Sequence, residues 1–341
     1  MRRSWGYWTR YKLDLLQRYL SAFTSTTKNK SSRIVYLDLF AGQPDIVDRV
    51  PKIPRDSSPR LALCVDDPPF TDLRFFELVP NVTSLRQALT LDYVTRNWLV
   101  YEDSNASIGQ ALADLRFSEA RSAPTFAFID PHGPHCKWQT LESLAAHKGP
   151  PRFTMKVELW MLFPDSLFSR LMPKPGEVLP AEDAAITAMF GDGAWHAIWW
   201  ALRNEEITPE EAREEYVNLL RWRLETELGY RWTHQLEIRN TLDAPMCHML
   251  FATDSEAGHR ILSHLYDQAA NEFPNMAQDA RRMRDSLQLQ ESGQFDFFSS
   301  LGGIEALGGS VGMAGSAEHF YEHQRAEEPR FHDRETCPYC L

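Results

Sequence analysis

The chain has 341 residues, 43% of them hydrophobic and 12% aromatic, with a formal net charge of −11. That length allows about two domains, or one large domain with an extension, and the composition excludes disorder over most of it. No run approaches the ~18 consecutive apolar residues of a spanning helix. The five cysteines, an odd number, make no disulfide framework, so a cytoplasmic protein with no membrane association is expected.

The charge is uneven. Residues 1–33 hold Arg2, Arg3, Arg10, Lys12, Arg18, Lys28, Lys30 and Arg33 against Asp14 alone. An acidic body repels polyanions, so a nucleic-acid partner would have only this basic arm to bind. A solvated helix face is the other reading of the same run. Arg10, Lys12 and Asp14 break up the apolar residues near the start, which argues against a cleaved secretory leader.

A first helix is predicted over residues 7–23, where Trp8, Tyr11, Leu15, Tyr19 and Phe23 recur three and four apart. Ser21 to Ser32 reads as a polar linker. A strand follows over Ile34 to Phe40, ending at Ala41-Gly42, and Gln43 to Ser57 reads as an inserted polar loop. Ser58 at N-cap and Pro59 at N1 open a helix. Further strands are predicted over 73–78, 97–102, 125–129 and 156–163, with a helix over 105–118 and another capped by Thr140. The strands are apolar almost throughout and alternate with helices, the pattern of a parallel sheet covered on both faces.

Residues 181–229 read as a helical insertion, with a capping box and N1 proline at Thr208-Pro209-Glu210-Glu211. Strands at 232–238 and 246–253 and a helix over 255–271 come next, then a separate basic helix around Arg281, Arg282 and Arg284. Six of the 14 residues from Gly302 to Gly315 are glycine, which ordered structure accommodates poorly. The expected organisation is an N-terminal helix and basic linker (1–32), an α/β body (33–290) and a glycine-rich tail (291–341).

In an open parallel sheet, ligands bind beyond the carboxyl ends of the strands. Acids stand at four successive ends. Asp38 can hold the turn at Ala41-Gly42 or accept from a ligand amine. Glu77 can take two ribose hydroxyls. Asp103-Ser104-Asn105 can meet the edge of a purine. Asp130-Pro131-His132-Gly133 lies where a reacting group would sit. Four separate Asx-type turns are the plainer alternative.

These segments carry a family resemblance. The order DLFAG, FFEL, DSN and FIDPHG resembles the class I S-adenosylmethionine-dependent methyltransferases. More narrowly, WTRYKLDLLQRYL (8–20), VYLDLFAGQP (35–44), SPRLAL (58–63), FAFIDPHG (126–133) with WQTLE (138–142), and KVELWMLFP (156–164) resemble the bacterial three-Cys-motif partner family. The resemblance covers roughly residues 5–270. It implies a Rossmann-like methyltransferase fold, a mostly parallel central sheet of seven strands with helices on both faces. It also implies a partner protein bearing a three-Cys motif, of a radical-S-adenosylmethionine-like kind. Asp38, Ala41 and Gly42 would then face the methionine end of S-adenosylmethionine, Glu77 the ribose, and Asp103 and Asn105 the adenine. Asp130 would line the transfer site, with His132 as the second candidate base.

The chain departs from the usual methyltransferase pattern in three places. Gln43-Pro44 follows a lone Gly42 where further glycines are usual, and proline offers no N–H to a carboxylate. Thirty-five residues separate Gly42 from Glu77, beyond the ~20 of dinucleotide sites. The motif reads DPHG, without the aromatic that adenine amino-methyltransferases use. Two rival readings follow: a catalytically degenerate binding module, and a Mg-dependent phosphate-chemistry enzyme built on Asp38, Glu77 and Asp130.

The tail offers separate chemistry. His319, His323, Cys337 and Cys340 form a zinc-compatible ligand set, against which stand a redox dithiol and an unstructured tail. Cys64, Cys136 and Cys247 read as small core residues. Trp195, Trp199 and Trp200 read as core or interface.

Overall fold

The structure is a computed structural model that describes residues 4–5, 7–43, 45–48, 54–149, 155–164, 180–240, 244–291 and 323–331. Its centre is a seven-stranded sheet built from β2 (Val35–Asp38), β5 (Asp72–Phe76), β6 (Trp98–Tyr101), β7 (Thr125–Ile129), β8 (Glu158–Phe163), β9 (Trp232–Arg239) and β10 (Pro245–Thr253). The order across the sheet is β6-β5-β2-β7-β8-β10-β9. The first five strands in that row are parallel. Only β10 runs against its neighbours, pairing antiparallel with both β8 and β9. This is the mostly parallel α/β sheet expected from the run of apolar strands, with the seven strands that the resemblance implied.

Helices cover both faces. On one lie α1 (Tyr7–Thr27), α2 (Ser58–Leu63), α3 (Asn81–Asp92) and α9 (Glu256–Glu291). On the other lie α4 (Ser104–Phe117), α5 (Trp138–Ala146), α6 (Pro180–Phe190), α7 (Trp195–Arg203) and α8 (Pro209–Thr226). α1 is no loose arm. Its stripe of Tyr11, Leu15, Leu16, Tyr19, Leu20 and Phe23 is buried. The Tyr19 ring meets Phe126, Phe251 and Trp160 at centroid distances of 5.1, 5.2 and 5.5 Å. Each such side chain contributes roughly 1.5–3 kcal/mol by leaving water. The Tyr19 hydroxyl also donates to Glu158, the first residue of β8.

Several expectations are corrected. The polar stretch after Gly42 is more than a loop: β3 (Asp45–Asp48) and β4 (Pro54–Asp56) pair antiparallel, and β1 (Ser4–Trp5) adds to β3. The N-terminal residues thus dock on the insertion. The expected break between helices at 255–271 and 281–284 is absent: α9 runs unbroken for 36 residues past Pro274. Thr140 does not cap α5. Lys137 stands at its N-cap, and the Thr140 hydroxyl donates to Asn105 Oδ1 at 2.9 Å. α2 begins one residue early, at Ser58, with Ser57 as N-cap. Cys64 is exposed, unlike Cys136 and Cys247. Trp200 is 45% exposed while Trp195 and Trp199 are buried.

The insertion forms as expected. Thr208 Oγ1 accepts from the Glu211 backbone N–H at 3.2 Å, and the Thr208 N–H donates to the Glu211 carboxylate at 2.7 Å. The Thr208 N–H, and then its hydroxyl, donate to the Glu211 carboxylate and hold it below its usual range. Among the described residues no helix is long and apolar enough to cross a membrane.

Candidate functional site

The strand order sets β6, β5, β2 and β7 side by side, about 4.8 Å apart. Asp103, Glu77, Asp38 and Asp130 therefore stand in a row along the carboxyl rim of the sheet. A strand that is apolar throughout must end where the chain leaves its covering helices, and these acids mark that point.

Asp38 closes β2 and is fully buried. The Tyr36 hydroxyl, two residues back on the same face, donates to its Oδ2 at 3.1 Å. Burial pushes the Asp38 carboxyl up to about 7; the Ser58 and Tyr36 hydroxyls work against that, while the Asp130 charge adds to it. Asp38 is thus poised to gain from any cation brought beside it.

The turn after β2 is held by β5. The Ala41 N–H donates to the Phe76 carbonyl at 2.9 Å, and the Gly42 N–H donates to Glu77 Oε2 at 2.6 Å. The other Glu77 oxygen accepts from the Leu78 N–H at 3.0 Å. Gly42 has φ +67, and a Cβ built there would meet nothing within 4 Å. Glycine is needed for the left-handed backbone, and no described residue stands within 4 Å of a Cβ placed there.

Asp103 caps α4, its Oδ1 accepting from the Asn105 N–H at 3.0 Å. Asn105 acts as a bracket. Its Nδ2 donates to the His135 carbonyl at 2.8 Å, and its Oδ1 accepts from the Lys137 N–H at 3.0 Å and from Thr140. The amide fastens the loop after β7 to the start of α4, a positioning role the sequence did not suggest.

Asp130 forms an ion pair with Lys12 of α1. Lys12 is buried, its side chain 5% exposed against 20% for Asp130. His132, two residues on, is exposed. In the sequence Lys12 is one cation of a basic run that fits either a phosphate-binding arm or a solvated face. Its partner lies 118 residues away, so no local pattern could reveal the pair. Of the other cations in the basic run, Arg2 and Arg3 lie outside the described residues. Arg33 is paired with Asp72, Arg18 lies 3.8 Å from Glu272, and Arg10, Lys28 and Lys30 are exposed.

Of the tail set, His319, Cys337 and Cys340 lie outside the described residues. His323 lies within them, and it stands with His234 and His259. Among the described residues, that trio is the one group of three or more His, Cys, Asp or Glu side chains whose ligand atoms converge. Asp38, Glu77 and Asp130 do not form such a group.

No protein-family profile matches the chain, and no curated protein is similar to it. Among solved structures, a DUF519-family protein from Legionella pneumophila is similar at 12% identity and a TM-score of 0.44, covering 76% of this chain and 92% of that one. A bacterial Hen1 methyltransferase domain is similar at 13% identity and a TM-score of 0.32, covering 70% and 99%. A DUF574-family protein from Streptomyces avermitilis is similar at 14% identity and a TM-score of 0.37, covering 71% and 82%. At these values the fold assignment rests on the strand order described above.

Proposed function

We propose that the carboxyl rim of the sheet binds S-adenosylmethionine and that the protein is a methyltransferase. The observation that carries this reading is the contact between Glu77 and the Gly42 N–H at 2.6 Å, at a turn that no described side chain crowds. It sets a carboxylate suited to ribose hydroxyls against a backbone turn that a ligand can approach closely. Asp38, Ala41 and Gly42 take the methionine end, and Asp103, with Asn105 bracketing the neighbouring loop, takes the adenine side. When bound, S-adenosylmethionine supplies an activated methyl group beside a positive charge, which suits an acidic rim.

The chain's own residues position and desolvate. Lys12 holds Asp130 in one orientation from α1. Transfer needs an aligned nucleophile in a dry pocket. A base is required only for a protonated acceptor, and Asp130 and His132 are then the candidates. A three-Cys-motif protein is the proposed partner, and the exposed Arg10, Lys28 and Lys30 are the groups available to a nucleic-acid acceptor.

A catalytically silent binding module is the second reading. It is favoured by the full burial of Asp38 and by the engagement of Asp130 with Lys12. Calorimetry tests the first. S-adenosylmethionine and its demethylated product should bind in the micromolar range, about −8 kcal/mol. Glu77→Ala should weaken both by at least about tenfold, the worth of a charge-assisted hydrogen bond. Binding of neither ligand by the wild type would refute the cofactor assignment. Binding without methyl transfer would favour the silent module.

A further inference from the structure

At the far edge of the sheet from β6, three histidines meet from three separate elements. His234 lies on the edge strand β9, His259 in the first turns of α9, and His323 at the start of the described segment 323–331. One ring nitrogen from each lies within 4.8 Å of the others. His259 Nδ1 and His234 Nε2 are 3.0 Å apart. The His323 ring centroid is 4.7 Å from that of His234 and 5.1 Å from that of His259. His323 Nε2 is buried and makes no hydrogen bond.

We propose that His234, His259 and His323 form a binding site for a transition-metal ion of the zinc class, which clasps segment 323–331 to the edge of the sheet. Three imidazoles with an open fourth position are an established donor set for zinc. At Zn–N distances of 2.0–2.1 Å, tetrahedral ligand nitrogens sit ~3.3 Å apart, so the trio needs to draw in only modestly. A hydrogen bond between two neutral imidazoles would account for His234 and His259 alone. It leaves the buried Nε2 of His323 without a partner, although the ring also bonds the Thr233 backbone.

The surroundings fix the rings. Trp232 stacks on His259 at 4.9 Å with the planes 14° apart, and Phe251 and Tyr266 flank His234. Burial first, and then the neighbouring histidines and Arg221, push His234 down to about 2. His259 and His323 are lowered too. The neutral imidazole is the form that binds metal. Arg221, Arg231, Arg260 and Arg325 are the cations bearing on the cluster, against the carboxylates Glu225 and Glu256.

The clasp has something to hold. Segment 323–331 lies along α8: Arg221 donates to the Gln324 carbonyl, the Ala326 N–H to Glu225 at 3.3 Å, and Asn218 exchanges two 2.9 Å hydrogen bonds with Glu327. Arg330 pairs with Glu215. At its start, His323 meets His234 on β9, the edge strand of the sheet. Four strand spacings, about 19 Å, separate β9 from Asp38 on β2, so this site is independent of the carboxyl rim.

The test is a Co²⁺ titration of the full chain after chelator stripping, followed by displacement with Zn²⁺. One equivalent should bind with visible d–d absorption of a tetrahedral nitrogen site. Zinc addition should slow amide exchange over residues 324–328. His259→Gln and His323→Gln, each checked for native circular dichroism, should weaken binding by more than the 10–100-fold typical of losing an outer-shell group. The paired variant Cys337→Ser and Cys340→Ser should leave it unchanged. The proposal is overturned if the wild type takes up no ion or if both histidine variants bind as the wild type does. It is equally overturned if the cysteine variant is the one that loses the metal.

Discussion

Asp38→Asn tests the physical chemistry of the rim without any ligand. The wild-type carboxyl is fully buried and pushed from 3.8 to about 7, chiefly by desolvation. Between those values the folded protein holds a proton that the unfolded chain has released. Stability therefore falls as pH rises through that window. At 1.36 kcal/mol per pKa unit, the full cost on reaching pH 8 is on the order of 4 kcal/mol. Asparagine has the same shape and no charge, so it escapes this cost. The amide also alters the hydrogen bonds to Tyr36 and Ser58, so the informative quantity is how the difference between the two proteins changes with pH. Urea unfolding at pH 4.5, 6 and 8 should show Asp38→Asn gaining on the wild type at each step. A difference that stays constant across that range would refute the burial argument.

Two further predictions concern packing. Lys12→Met leaves Asp130 without its cation in a part-buried site and should cost about 3–5 kcal/mol, the usual penalty for breaking a buried pair. Adding Asp130→Asn should recover most of it in a double-mutant cycle, and purely additive losses would show that the pair is not coupled. Gly191 has φ +92, and a Cβ there would approach the Trp138 ring to 2.6 Å. Gly191→Ala should therefore lower the thermal midpoint by several degrees, matching a loss of at least about 1 kcal/mol. An unchanged midpoint would mean that the ring moves aside freely.

Four strands of the parallel sheet were legible because each is a largely apolar run ended by an acid. Val35–Asp38, Asp72–Phe76, Trp98–Tyr101 and Thr125–Ile129 all lie within two residues of where those runs place them. The rim was legible for the same reason: an acid closing an apolar run must sit where the sheet stops. Partnerships across the fold were not. Lys12 looks like its solvated neighbours Arg10 and Arg18 until α1 docks and carries it to Asp130. Asn105 reads as a helix-start residue, and only the folded loop shows its amide bracketing His135, Lys137 and Thr140. Pro274 suggests a helix end by removing an N–H, yet α9 continues past it. His234, His259 and His323 are single histidines in a strand, a helix and a tail. No spacing rule joins residues that tertiary structure alone brings together.

The carboxyl rim as a nucleoside site is tested most directly by a crystal structure grown with S-adenosylhomocysteine. Ribose hydroxyls on Glu77, adenine beside Asp103 and the amino acid end over Gly42 are the expected result. A rim empty at saturating ligand, or the nucleoside bound anywhere else on the protein, would contradict it.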